Sequence, residues 1–193
     1  MNPNFIPRTP VTFTLASVMT VVYLLDPVIT ELTYISLAPW MHAGWSHFCN
    51  NLLIFILLGV WTERRLGWLT FLFFAFPIPY LSLYAPVAFG YDGLSRGASG
   101  LTMALTGYAV PVLLTTLIKR LESFDPNWRE VGHVGLHLLV VSYLITDAFV
   151  TVKRFIGFSP RPEGVAVSAH FTALALGVLW FAWRGYRHGV FDA

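Results

Sequence analysis

The chain has 193 residues, of which 56% are hydrophobic and only 11% charged, with a mean hydropathy of +0.65. A soluble domain carries about 25% charged residues, so this chain lacks the polar surface to cover itself in water. Its net charge of +2 is too small to point to a nucleic-acid partner, and the single Cys49 excludes a disulfide within the chain.

Six segments are predicted to cross a membrane, most of them close to the roughly 20 residues a spanning helix needs. The first, about 11–28, follows Pro3, Pro7 and Arg8. It shows no small-residue cleavage site before Asp26 and reads as a retained span rather than a removed signal. The second, about 46–62, begins in the polar stretch HAGWSHFCNN and turns apolar at Leu52. The third covers about 66–89, and the fourth, about 98–118, opens on GASG (Gly97–Gly100). FDPNW (Phe124–Trp128) is a turn before the fifth span at about 132–150. GFSPRPEG (Gly157–Gly164) is a Pro/Gly-rich loop before the sixth at about 165–184. In lipid only helices and closed barrels satisfy the backbone, and these runs are too long and continuous for barrel strands, which alternate. The expectation is one all-α domain over residues 1–193, a six-helix membrane bundle. No internal repeat is visible, nor the paired broken helices that transporters use.

With six spans both termini share one side. That side would hold Arg8, Arg64, Arg65, Lys119, Arg120, Arg129, Arg184 and Arg187, against Arg96, Lys153, Arg154 and Arg161 on the other. The positive-inside bias therefore puts the termini in the cytoplasm.

Ionisable and polar groups at membrane depth are costly and mark functional sites. Topology sorts the candidates. His47, Asn51, Ser99 and His170 all fall in the first turns of spans that start on the outer side, so they share one depth. His133 and His137 follow the inner loop and lie on the opposite side. His47 and Asn51, four residues apart, project from one helical face. Small residues at Ala166, Ala173 and Gly177 beside His170, and at Gly100, Ala104 and Gly107 after Ser99, allow two helices to approach closely. Such a crossing would bring hydroxyl and imidazole together. A serine hydroxyl becomes nucleophilic when a base takes its proton, and histidine is the usual base near neutral pH. Ser99 at a helix start also sits among unpaired N–H groups, which with His47 and Asn51 could hold an oxyanion. Gly97 and Gly100 permit the tight turn.

These residues resemble the rhomboid intramembrane serine proteases. GASG fits that family's GxSG motif, and HAGWSHFCNN carries His42, His47 and Asn51 at the family's spacing. ERRLG (Glu63–Gly67) matches the segment closing the second span, and AHFTALALG (Ala169–Gly177) resembles the histidine motif of the sixth. The likeness implies a rhomboid-like six-helix bundle with Ser99 as nucleophile, His170 as general base, and His47 with Asn51 as oxyanion donors. Gly97, Gly100 and His42 would support the motifs. It further implies transmembrane proteins as substrates entering laterally from the bilayer, no metal and no cofactor, and a multi-pass protein of the cell membrane. Met103 stands where relatives often place an aromatic residue against the imidazole, and Ala173 where a glycine is usual.

Other readings stand beside this one. Gly-x-Ser-Gly at a span start is also ordinary helix punctuation, and a non-catalytic relative would bind transmembrane clients without cleaving them. A transporter using the histidines as a proton relay would need a continuous polar path across the membrane. His133 and His137 are read as interfacial packing, because no glutamate follows His133 to complete a zinc-protease motif. Asp147 is expected to pair with Lys153 or Arg154, with orientation of His170 as the alternative. Glu63 is expected to satisfy backbone donors or pair with Arg64 or Arg65. Cys49 is read as packing, since no cation lowers its pKa.

Overall fold

Among the residues that the computed structural model describes (9–25, 36–90, 96–125, 127–160 and 166–188), every α-helix of eight residues or more falls into a series of seven. These are α1 (Pro10–Leu25), α2 (Trp45–Leu66), α3 (Trp68–Ala75), α4 (Pro77–Ala88), α5 (Ser99–Glu122), α6 (Trp128–Phe155) and α7 (Val167–His188), with a 3₁₀ turn at Ala38–Trp40 before α2. Residues 26–28 of the first expected span, residue 165 of the last, and the cations Arg8 and Arg161 lie outside the described residues.

The expected third span is two helices, because Pro77 and Pro79 cannot donate to the carbonyls of the preceding turn; α3 stops at Ala75 and α4 begins with Pro77. Three spans run further than apolarity suggested at the ends expected to face inward. α2 continues through Arg64 and Arg65, α5 through Lys119–Glu122, and α6 starts at Trp128. Basic residues in a last turn suit the negative end of the helix dipole, and Asn127 caps α6 by accepting from the Glu130 amide at 3.0 Å.

By length and apolarity, α2, the α3–α4 pair, α5 and α6 can each cross a membrane. The chain is a multi-pass membrane protein. The other two expected spans fall short on that measure for separate reasons. α1 has 16 described residues, about 24 Å of helix against a hydrocarbon core of about 30 Å. α7 has 22 residues but carries His170, Arg184, Arg187 and His188.

α5 is the core helix, buried without interruption from Gly100 to Ala109. α6 is peripheral and buries one narrow stripe, Val134, Val141, Leu144 and Thr151. α2 buries Phe48, Asn51, Phe55, Gly59, Thr62, Glu63 and Leu66 and turns Leu53 and Leu57 outward. That outward face is apolar as bilayer requires.

Two devices lock the bundle. At the C-terminal end of α2, the buried Glu63 carboxylate accepts from the Val11 amide (3.0 Å), the Thr12 amide (2.8 Å) and Thr12 Oγ1 (2.7 Å). The expectation that Glu63 satisfies backbone donors holds, and those donors are the otherwise unpaired first turn of α1. The second device is the close crossing of α5 and α7. A Cβ on Gly107 would strike the Leu174 carbonyl, one on Gly177 the Ala104 carbonyl, and one on Gly100 Ser82 of α4. The small faces read from sequence meet backbone to backbone. Contacts advance together along both helices, so α5 and α7 run parallel and place their first turns side by side.

Candidate functional site

Parallel packing of α5 and α7 brings Ser99 and His170 together: Ser99 Oγ lies 2.7 Å from His170 Nε2, across 71 residues of sequence. With the ring proton on Nδ1, the hydroxyl donates to Nε2. Ser99 is the first residue of α5 and His170 stands in the first turn of α7. Local structure fixes the serine's approach. Gly97 has φ +141°, a conformation side chains rarely allow, and its amide donates to the Ala38 carbonyl at 3.0 Å. The 3₁₀ turn before α2 thus anchors the loop that presents Ser99. Thr102 Oγ1 donates to the Ser99 carbonyl at 2.8 Å, and the Leu101 and Thr102 amides bond to Ala98. Among the described residues the Ser99 and Gly100 amides make no hydrogen bond.

His47 stands near this pair, and Asn51 follows it on the same face of α2. A Cβ built on Gly97 would lie 3.4 Å from the His47 ring and 3.6 Å from Ser99 Oγ; ring and hydroxyl are therefore no more than about 7 Å apart, the total of those two distances. The His47 side is open to solvent. Asn51, one turn on, is buried, and its amide nitrogen has no hydrogen-bond partner among the described residues. A buried unsatisfied donor costs about 1–3 kcal/mol, and among the described residues nothing offsets that cost for Asn51.

His42 is buried beneath this group. Its ring meets His47 edge-on at 5.5 Å between centroids and Phe48 at 5.4 Å, and neither ring nitrogen is hydrogen-bonded. Burial first, and the neighbouring His47 second, push its pKa down to about 4, against a smaller upward pull from the Trp40 backbone. It is a neutral packing residue beside the site.

The remaining candidates lie elsewhere. His137 Nε2 is 3.0 Å from the Leu113 carbonyl, and His133 Nδ1 is 3.2 Å from Arg120 Nη2, so this pair joins the second half of α5 to the start of α6. Among the described residues no three His, Cys, Asp or Glu side chains are grouped to hold a metal. The expected pairing of Asp147 with Lys153 or Arg154 is not a direct ion pair, since no carboxylate comes within 4 Å of either cation among the described residues; the Arg154 charge acts on the Asp147 carboxylate from further away. At six and seven residues' separation the groups miss the i,i+3 and i,i+4 neighbourhood, and Lys153 lies instead over the Phe149 ring at 5.5 Å. Nor does Asp147 bond to His170. Cys49 is a free, half-buried thiol.

Sequence reasoning missed the supports behind the pair. Phe155 of α6 stacks on Phe171, the neighbour of His170, at 4.0 Å and 2°. Thr151 Oγ1 donates to the Met103 sulfur at 3.5 Å. Ser82 of α4 fills the space beside Gly100 and donates to the Pro79 carbonyl at 3.1 Å. The adjacency of Phe171 to His170 was the one signal available. An apolar groove of about 350 Å³ opens toward lipid between α2 and α6 over α5, lined by Ile54, Leu57, Trp61, Leu113, Leu139 and Tyr143 among others. Its outer end, at Ile54, begins about one turn below Asn51.

The family description "Rhomboid domain" matches residues 30–187. No curated protein matches the chain.

Proposed function

The chain belongs to the rhomboid family, and on that footing we propose that it is an intramembrane serine endopeptidase cleaving peptide bonds within or next to the transmembrane helices of other membrane proteins. The observation that carries the reading is the 2.7 Å contact between Ser99 Oγ and His170 Nε2. Ser99 Oγ attacks the scissile carbonyl as its proton passes to His170 Nε2, forming a tetrahedral oxyanion. The Ser99 amide, Asn51 Nδ2 and the His47 ring donate to that oxygen. His170 then gives its proton to the leaving amine nitrogen, the C–N bond breaks, and the ester on Ser99 is hydrolysed by water activated through the same imidazole. No acid orients His170; the close crossing of α5 and α7 positions it. No metal or cofactor takes part.

Six spans with both termini in the cytoplasm put this pair in the outer half of the cell membrane, where the open side of His47 supports access for water. The groove between α2 and α6 supports lateral docking of a substrate helix, whose end unwinds at Ser99 because cleavage needs an extended backbone. Retention of both serine and histidine favours this over a non-catalytic client-binding relative.

The test is cleavage of a panel of tagged transmembrane helices by the purified protein in liposomes. Ser99→Ala and His170→Ala each abolish cleavage with folding intact, and a fluorophosphonate labels Ser99 alone. Asn51→Ala lowers kcat by about 10²–10³ with little change in KM. Turnover retained in either dyad variant refutes the assignment, as does inhibition by a metal chelator.

A further inference from the structure

The inner end of the bundle holds a second polar cavity that peptide hydrolysis does not use. Arg65 of α2, Tyr108 and Val112 of α5, and Phe181 and Arg184 of α7 line a cleft of about 250 Å³. A neighbouring hollow of about 150 Å³ shares Arg65, Val112 and Phe181 and adds Thr115, Thr116 and Lys119. We propose that this cleft between α2, α5 and α7 is a binding site for the headgroup of an anionic phospholipid of the inner leaflet.

Charge is the first argument. Among the described residues no carboxylate comes within 4 Å of Arg65 or Arg184. Two acids at this end of the bundle are committed elsewhere: Glu63 accepts three hydrogen bonds from α1, and Glu130 holds Arg120 in a two-point pair at 2.9 and 3.2 Å. The C-terminus of α2 beside Arg65 carries roughly half a negative charge and offsets the two guanidinium groups only in part, which leaves the cleft positive, as a phosphodiester requires.

Geometry is the second. Arg65 lies over the Trp61 ring at 5.8 Å, which holds its guanidinium at the rim. Tyr108 is buried among Trp61, Phe74 and Phe181, with its hydroxyl in the field of both arginines. The hydroxyls of Thr115 and Thr116 are spent on the Pro111 and Val112 carbonyls, so the donors facing the cleft are Arg65, Arg184 and Tyr108. Guanidinium groups suit bidentate phosphate contacts, and basic pockets between helices at the cytoplasmic side suit lipid headgroups. Leu66, Val112 and Phe181 supply apolar walls for the glycerol and the first acyl carbons. A soluble anion would have no use for those walls, which favours a lipid.

On α5 the cleft is lined by Tyr108 and Val112, about 14–20 Å along the helix from Ser99, so the site stands apart from the dyad. Native mass spectrometry of the detergent-purified chain, titrated with equal amounts of palmitoyl-oleoyl phosphatidylglycerol and phosphatidylcholine, reads the proposal directly. Retention of phosphatidylglycerol by the wild type should exceed that of phosphatidylcholine by roughly 30-fold, the effect of two cations near a headgroup. R65Q/R184Q should remove the preference, while R64Q/R129Q, two exposed cations on the same side, should keep it. Equal retention of the two lipids by the wild type overturns the site without reference to any variant. Loss of preference in R64Q/R129Q to the same degree assigns the effect to general surface charge and overturns it too. Displacement of phosphatidylglycerol by inorganic phosphate would overturn the assignment to lipid.

Discussion

A single methyl group at Gly177 should separate the two reacting side chains from about 10 Å away. Gly177 lies seven residues past His170, two turns along α7. In Gly177→Ala the new Cβ would strike the Ala104 carbonyl oxygen, and would lie 2.9 Å from that carbonyl's carbon and from the Tyr108 amide nitrogen. All three obstacles are backbone of α5, so no side chain can swing aside. Ordinary van der Waals contact begins near 3.4 Å, and α7 must retreat by about 1 Å. A 2.7 Å hydrogen bond lengthened by that amount falls outside bonding range. A misplacement of about 1 Å costs on the order of 100-fold in rate, about 2.7 kcal/mol of barrier, and overpacking of this kind lowers stability by about 1–3 kcal/mol. Initial cleavage rates in liposomes should fall by that factor in Gly177→Ala, together with fluorophosphonate labelling of Ser99. Gly132→Ala serves as the control, since a Cβ there meets nothing within 4 Å. If Gly177→Ala cleaves within about twofold of the wild type, the helix crossing does not set the dyad's geometry and the reasoning fails.

Two further substitutions test the frame and its pH response. Glu63→Ala strands the Val11 and Thr12 donors in a buried site and should cost about 3 kcal/mol, read as a lowered thermal midpoint in detergent; an unchanged midpoint would show that α1 is held by other means. For His42 the folded pKa of about 4 lies below the ordinary 6.5, so below pH 6.5 the unfolded state binds the extra proton and folding loses free energy. Stability should be full above pH 6.5 and decline toward pH 4, by a total of order 3 kcal/mol. His42→Leu should flatten the midpoint-against-pH curve across that window, and a slope equal to the wild type's would assign the acid sensitivity to another group.

The residues that sequence exposed most clearly are those that break the bilayer's rule. His47, Asn51, Ser99 and His170 stand out because nothing else in the outer turns of their helices is so costly to bury, and a shared depth follows from span order alone. The pairing of α5 with α7 was legible for a related reason: Gly100, Ala104, Gly107 and Gly177 forgo side-chain packing, and only a backbone neighbour repays that. What escaped were contacts made by residues that obey the rule. Phe155 and Phe171 are ordinary apolar side chains in lipid, and their stack beside His170 leaves no trace in hydropathy. Nor does the Ala38 carbonyl that holds Gly97, since any residue could present it. Helix ends escaped because hydropathy reports where lipid stops, whereas hydrogen bonding decides where the helix does; Arg64, Arg65 and Lys119–Glu122 continue their helices beyond the apolar run. Glu63 belongs to both groups. Its charge marked it as anomalous, yet its partner was the amide edge of α1, which carries no sequence signature. The arginines read as orientation signals, and only the packing of α2 and α7 against the middle of α5 turned Arg65 and Arg184 into the walls of one cleft.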